Sequence, residues 1–155
     1  MMRFILLLAL AFATEAANAR DLISFFGRAE RQDYLSKVKL DCPTAGLCMD
    51  VVYAWTIRVK HVNSGNIAER TVKAAMVQHT EYIYAGKQDA LYVISKIEDP
   101  EKRKLLGVDY WLVAYAPPQK VTLYCLQAPD VVLQPSEQLE RLDESSCYQH
   151  IGPAK

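Results

Sequence analysis

The chain lacks a surplus of charge of either sign: 18 lysines and arginines face 18 aspartates and glutamates over 155 residues. Nucleic-acid and anionic-membrane binding both draw on clustered positive charge, so this neutrality argues against either as a partner. Glycine is sparse, six residues scattered without a phosphate-cradling run. The sequence holds no H-E-x-x-H, no G-x-S-x-G and no C-x-x-C. It therefore lacks the spacings of a zinc protease, a serine-hydrolase elbow or a dithiol redox centre. Repeat periods and low-complexity tracts are missing as well, which excludes solenoids and linker-like chains. With 51% hydrophobic and 23% charged residues, the composition is that of a folded domain, not a disordered segment.

Long apolar runs are also missing, with one exception at the start. Arg3 precedes the ten-residue apolar run Phe4–Ala13, and Ala17-Asn18-Ala19 follows as an A-x-A cleavage site. Ten residues at about 1.5 Å each cover about 15 Å, half a hydrocarbon core, so the run is too short for a membrane span. No cysteine follows the small residues, so a lipid anchor is not expected. These features predict a signal peptide over residues 1–19 and one exported globular domain over 20–155, periplasmic or secreted, without a membrane anchor.

All four cysteines, Cys42, Cys48, Cys125 and Cys147, lie in the exported part. In an oxidising compartment an even count predicts two disulfides. The C-x5-C and C-x21-C spacings match no zinc pattern, and no metal or cofactor is expected. Four cysteines allow three pairings. The local one, Cys42–Cys48 with Cys125–Cys147, is favoured because Pro43 and Gly46 can turn the chain.

From Asp21 to Leu40 the spacing is helical: Leu22, Phe25, Phe26 and Ala29 fall on one face, with Asp21 placed to cap. The period then switches to two. In Val51–Val62, Tyr53, Trp55, Ile57 and Val59 share one face, and Thr56, Arg58 and Lys60 share the other. Asn63–Asn66 is a loop cluster, Arg70–Thr80 a second strand, Gly86–Asp89 a turn and Leu91–Ile97 a third strand. Asp99-Pro100, EKRKLL and Gly107 read as an N-cap, a proline at N1, a short helix and a glycine stop. Val108–Ala116 and Lys120–Leu126 follow as strands, and Ser136–Glu144, with Leu139 and Leu142, predicts a final helix.

Over Val51–Leu126 this order of elements resembles the secreted OB-fold and netrin-like domains. The resemblance implies a mainly β, β-rich α+β fold. Its centre would be a small five-stranded OB-like barrel with a short helix between strands 3 and 4. Flanking N- and C-terminal helices and two disulfides would embellish it. Small sandwiches and meanders share the same element order. Netrin-like inhibitors carry a cysteine at the mature N-terminus, where Arg20 stands here, so their inhibitory wedge is not carried over.

Candidate chemistry is thin. A hairpin around Asn63–Ala68 would set His79 opposite Val52, about 30 Å along the strand from His61, so the two cannot share an ion. His79 and Glu81 alternate onto one face, about 7 Å apart at Cα, which allows a base and its orienting partner. They define the alternative reading, a small periplasmic hydrolase. The carboxylates Glu98, Asp99 and Glu101, and Asp143 with Glu144, sit beside basic residues as a solvated face would. Trp55 shares its face with Ile57 and Val59 and reads as core. Trp111 alternates with Val113 and Tyr115, against Tyr110, Leu112 and Ala114, so that strand is apolar on both faces. Either it is covered on both sides or it exposes an apolar binding patch. Arg58, Lys60 and Lys73 would form a small basic stripe. The expectation is a non-catalytic binding domain recognising a protein or envelope component, a class that includes inhibitor- and immunity-type proteins. Trp111, Tyr115 and Arg58 are its contact residues.

Overall fold

A computed structural model describes residues 21–38, 51–78, 88–120, 122–126, 128, 130–133, 136–142 and 146–151. The signal segment, Cys42 with Cys48, and His79 with Glu81 lie outside the described residues. Among the described residues no helix is long and apolar enough to cross a membrane.

Alternation of apolar and polar side chains builds the centre of the molecule. Strands β1 (Leu22–Tyr34), β2 (Val51–Ser64), β3 (Thr71–Gln78), β4 (Ala90–Lys96) and β5 (Tyr110–Ala116) close into a barrel in the order β1-β2-β3-β5-β4. Strand β4 returns to pair with β1, and β3 with β5 is the parallel pair. Phe25 and Ala29 from β1, Tyr53, Trp55 and Ile57 from β2, Val72 and Ala74 from β3, Tyr92 and Ile94 from β4 and Leu112 from β5 fill the interior. The face expected for Tyr53, Trp55 and Ile57 is the buried one. The β2–β3 register, from Val51 opposite Gln78 to Arg58 opposite Thr71, lies two residues from the expected one. An even shift keeps every side chain on its face.

The short helix α1 (Pro100–Leu106) stands between β4 and β5, where it was expected. Asp99 accepts from the amides of Glu101 at 2.9 Å and Lys102 at 3.3 Å, and Pro100 needs no partner at the first turn. Gly107 ends the helix in the left-handed region, φ 65°, and donates to the Arg103 carbonyl at 2.8 Å.

Three expectations are corrected. Residues 22–34 are strand β1, not a helix. Ile23, Phe25 and Ala29 point into the barrel, and Leu22 and Phe26 point outward against a second layer. A strand apolar on both faces imitates a helical stripe. The fifth barrel strand is therefore β1, not Lys120–Leu126. That segment joins a separate sheet of β6 (Pro118–Lys120), β7 (Leu123–Cys125), β8 (Leu139–Leu142) and β9 (Cys147–His150), in the order β6-β7-β9-β8. The expected C-terminal helix is β8 within its described part. Leu139 is fully buried there opposite His150, and pairing with β9 outweighs a weak local helical pattern.

The second sheet covers one side of the barrel. Phe26, Leu91, Val93, Ala114 and Ala116 on the outer wall pack against Tyr124, Leu126, Leu133, Leu139 and Tyr148. A polar link reinforces the junction. The buried Ser24 hydroxyl meets Ser64 at 2.7 Å and the Asn63 amide at 2.9 Å, and Ser136 Oγ donates to Asn63 Oδ1. Helix α1 covers another side, with Leu106 and Val108 packed on Val52, Ala75 and Ile97. Strand β4 is thus enclosed on both faces, and every residue from Ala90 to Ser95 is buried.

The Cys125–Cys147 disulfide is present and joins directly opposed residues of β7 and β9. The bridged cysteines are 22 residues apart, so loop-closure entropy predicts that Cys125→Ser with Cys147→Ser costs about 3 kcal/mol. Hydrogen exchange locates the loss: amides of β7 and β9 should lose protection before those of β2 and β4. Equal loss in both sheets would contradict this.

Candidate functional site

The two covering layers meet along the outer face of the barrel wall near the end of β4. Along β4, Val93 belongs to the core under the second sheet and Ile97 to the core under α1. Ser95 lies on the same outer face between them, flanked by Leu22, which packs against the first core, and by Trp111, which packs against the second. Register sets it in a row across three strands, Leu22 opposite Ser95 and Ser95 opposite Trp111. Ser95 is only 5% exposed, and no other described residue shares a hydrogen bond with its hydroxyl.

A cleft of about 690 Å³ opens over this row. Ser95 and the half-buried Trp111 indole line it at the barrel wall. Lys96, Ile97 and Glu98 line it from the β4–α1 connection, Asp99 and Lys102 from the first turn of the helix, and Asp21 from the start of β1. Its volume falls in the range of small-molecule sites, and its lining sets one aromatic and one aliphatic side chain, Trp111 and Ile97, among five charged groups and Ser95.

The structure does not bring the three expected contact residues together. Trp111 lines the cleft. Tyr115 points the other way, into the barrel, with its ring 5.3 Å from Trp55 and 6.5 Å from Tyr92. The expected sharing of one face by Trp111, Val113 and Tyr115 is corrected here, and the cause is a β-bulge. Val93 pairs with Ala114 and Ile94 with Leu112, leaving Val113 without an opposite residue. One extra residue exchanges the two faces of everything beyond it.

Arg58 lies elsewhere on the outer wall, on β2 opposite Thr71, four residues along β3 from the Ala75 that pairs with Trp111. It pairs with Glu30. The expected basic stripe is threaded with acids: Arg28 Nε lies 2.9 Å and Lys60 Nζ 2.6 Å from the Asp89 carboxylate, and Arg31 lies 2.7 Å from Asp33. His61 is exposed on the same strand, opposite Phe26. Among the described residues no three His, Cys, Asp or Glu side chains gather as a metal site.

Burial pushes the Asp89 carboxyl up, but hydrogen bonds and charge from Lys60 and Arg28 outweigh it and hold the group below its ordinary 3.8. Burial, and then the Asp89 charge, raises the neighbouring Tyr124 phenol. Because the folded-state value is lowered, the contribution of Asp89 is complete above 3.8 and vanishes as pH falls through the folded value. Asp89→Asn should therefore be less stable than the native chain at neutral pH and converge with it on acidification. Denaturant midpoints measured from about pH 7 down to about pH 2 check this. A constant gap across that range would contradict it.

Ser95, Lys96 and Lys102 were not expected at a site, and Asp21 was read only as a helix cap. For Ser95 the signal was there: it is the one polar residue in the run Ala90–Ile94 and Ser95 that is otherwise apolar. The other three come from the start of β1, the end of β4 and the first turn of α1, which only the fold brings together. No family model, no curated protein and no solved structure matches the chain.

Proposed function

We propose that the chain is an exported, non-catalytic binding domain that recognises a protein or envelope component through the cleft beside Trp111. The observation that carries this reading is a large half-buried aromatic, Trp111, which packs at the margin of the core under α1 and also lines the cleft. Buried aromatics in such pockets dominate recognition energies. The apolar run with its A-x-A site and the Cys125–Cys147 bridge support export to an oxidising compartment. A closed five-stranded barrel is the architecture that the OB-type resemblance implies, although α1 follows the fourth barrel strand and not the third.

The test immobilises the oxidised mature chain and its Trp111→Ala variant in parallel in an envelope extract. A component retained by the native chain and lost about tenfold or more with Trp111→Ala is expected. Retention of nothing, joined to His79-dependent cleavage of a small substrate panel, would replace the binder with a hydrolase using His79 and Glu81.

A further inference from the structure

We infer that the ligand of this cleft is a neutral glycan segment, one of whose sugar rings lies flat on the Trp111 indole. The inference rests on the binding role proposed above and names its ligand class.

Charge comes first. Lys96 and Lys102 face Asp21, Glu98 and Asp99 around one opening. An anion entering it meets three carboxylates, and a cation meets two ammonium groups. A polyol meets no such conflict. Each hydroxyl both donates and accepts, so carboxylates take its protons while ammonium groups donate to its oxygens. Charge-assisted hydrogen bonds of this kind exceed neutral ones in strength.

Ser95 is the second, independent observation. Its hydroxyl is enclosed between Leu22 and Trp111, faces the cleft and meets no described partner. The hydroxyl is open to solvent on the cleft side, so a purely aliphatic ligand that displaced that solvent would leave its hydrogen bond unreplaced. The indole supplies the remaining contact. Its π face is electron-rich, and the C–H groups on one side of a pyranose form the flat, weakly positive surface that complements it.

An extended peptide fits less well. Adding a strand needs an open sheet edge. The floor of this cleft instead includes the faces of Ser95 and Trp111, whose strands already pair with each other.

The chain offers its own probe, because it contains two tryptophans. Trp55 is fully buried in the barrel, and Trp111 lines the cleft, so indole N–H resonances separate the site from the core. The native chain is titrated with neutral oligomers of N-acetylglucosamine, of β-linked glucose and of α-linked glucose. Deacetylated cationic oligomers and a sulfated anionic glycan are run beside them.

Saturable movement of the Trp111 resonance by at least one neutral oligomer, with Trp55 unmoved, is the expected result. The charged glycans should bind no tighter. Affinity should fall about tenfold or more with Trp111→Ala, stay closer to native with Trp111→Phe, and fall severalfold with Ser95→Ala. If Trp111→Ala fails to fold, the Trp111→Phe and Ser95→Ala titrations still decide.

Tighter binding of a charged glycan overturns the inference, as does silence from every neutral oligomer at millimolar concentration. If the glycans are silent while an envelope protein is still captured in a Trp111-dependent way, the glycan is wrong and the binding role stands. If nothing is captured either, both fall.

Discussion

Gly27→Ala should cost about 2–4 kcal/mol, and Gly27→Val should fail to reach the native barrel. Gly27 lies in β1 opposite Val59 of β2 and Ala90 of β4, with the β1–β2 register irregular on its N-terminal side. A methyl group built there falls far inside contact distance of the Arg58 carbonyl oxygen. It also comes within 3.2 Å of the Phe25 ring and 3.3 Å of an Ile57 methyl. The obstacle is backbone in a paired strand, so no rotamer change relieves it. The cost must be met by parting β1 from β2 or by distorting the ladder. Gly107→Ala is the informative companion. Nothing stands within 4 Å of its added methyl, but φ is +65°, so the penalty is conformational alone and about 1 kcal/mol. Urea midpoints of the two variants measure the difference between crowding and backbone conformation. Gly27→Ala within about 0.5 kcal/mol of native would show that the strands are not so close.

Trp55→Ala should lose about 3–5 kcal/mol, the largest core effect expected in the molecule. Trp55 is fully buried, packs on Tyr115 and fills the middle of the barrel. The neighbouring rings are held in turn: Tyr92 stacks on Phe25 at 5.6 Å, and its hydroxyl accepts from the Ala29 amide at 3.2 Å. Such a framework cannot collapse onto the space left by an indole. Trp55→Phe should cost much less than its lost volume implies. The Trp55 Nε1 atom is buried without a hydrogen-bond partner among the described residues, and phenylalanine carries no donor to leave unmet. Thermal or urea unfolding of the two variants reads the contrast. Equal losses for Ala and Phe would mean that the N–H finds a partner in solution.

The elements most legible in the sequence are those whose local pattern and tertiary environment agree. In β2 one face is barrel interior, and period-two alternation identified it residue by residue. Helix α1 was legible from its ends, Asp99-Pro100 and Gly107, because caps are written locally. β1 was not. Its pairing with β4 joins residues as far apart as Leu22 and Ser95, and with both faces buried it loses the alternation by which a strand is read. The second sheet was legible only at β7, inside the strand expected over Lys120–Leu126; β8 and β9 are too short to carry a period and are defined by one another. At the site, Trp111 was legible as an aromatic on a two-faced apolar strand. Tyr115 was misplaced because a single bulged residue, Val113, has no signature in composition. Arg58 was correctly set on the outer face of β2, but its acidic neighbours come from β1, and their proximity depends on register.

The pairing of β1 with both β2 and β4 bears on how the chain must be made. β1 is the first of the barrel strands to be synthesised, and its wall is complete only after β4 has followed. Until then a strand with apolar side chains on both faces has neither neighbour in place on its β4 side. Closure is a long-range step and a slow one compared with local pairing, and an unpaired apolar edge is prone to the wrong partner meanwhile. A nascent chain halted before β4 is therefore not a partly finished barrel but a strand seeking any edge it can find.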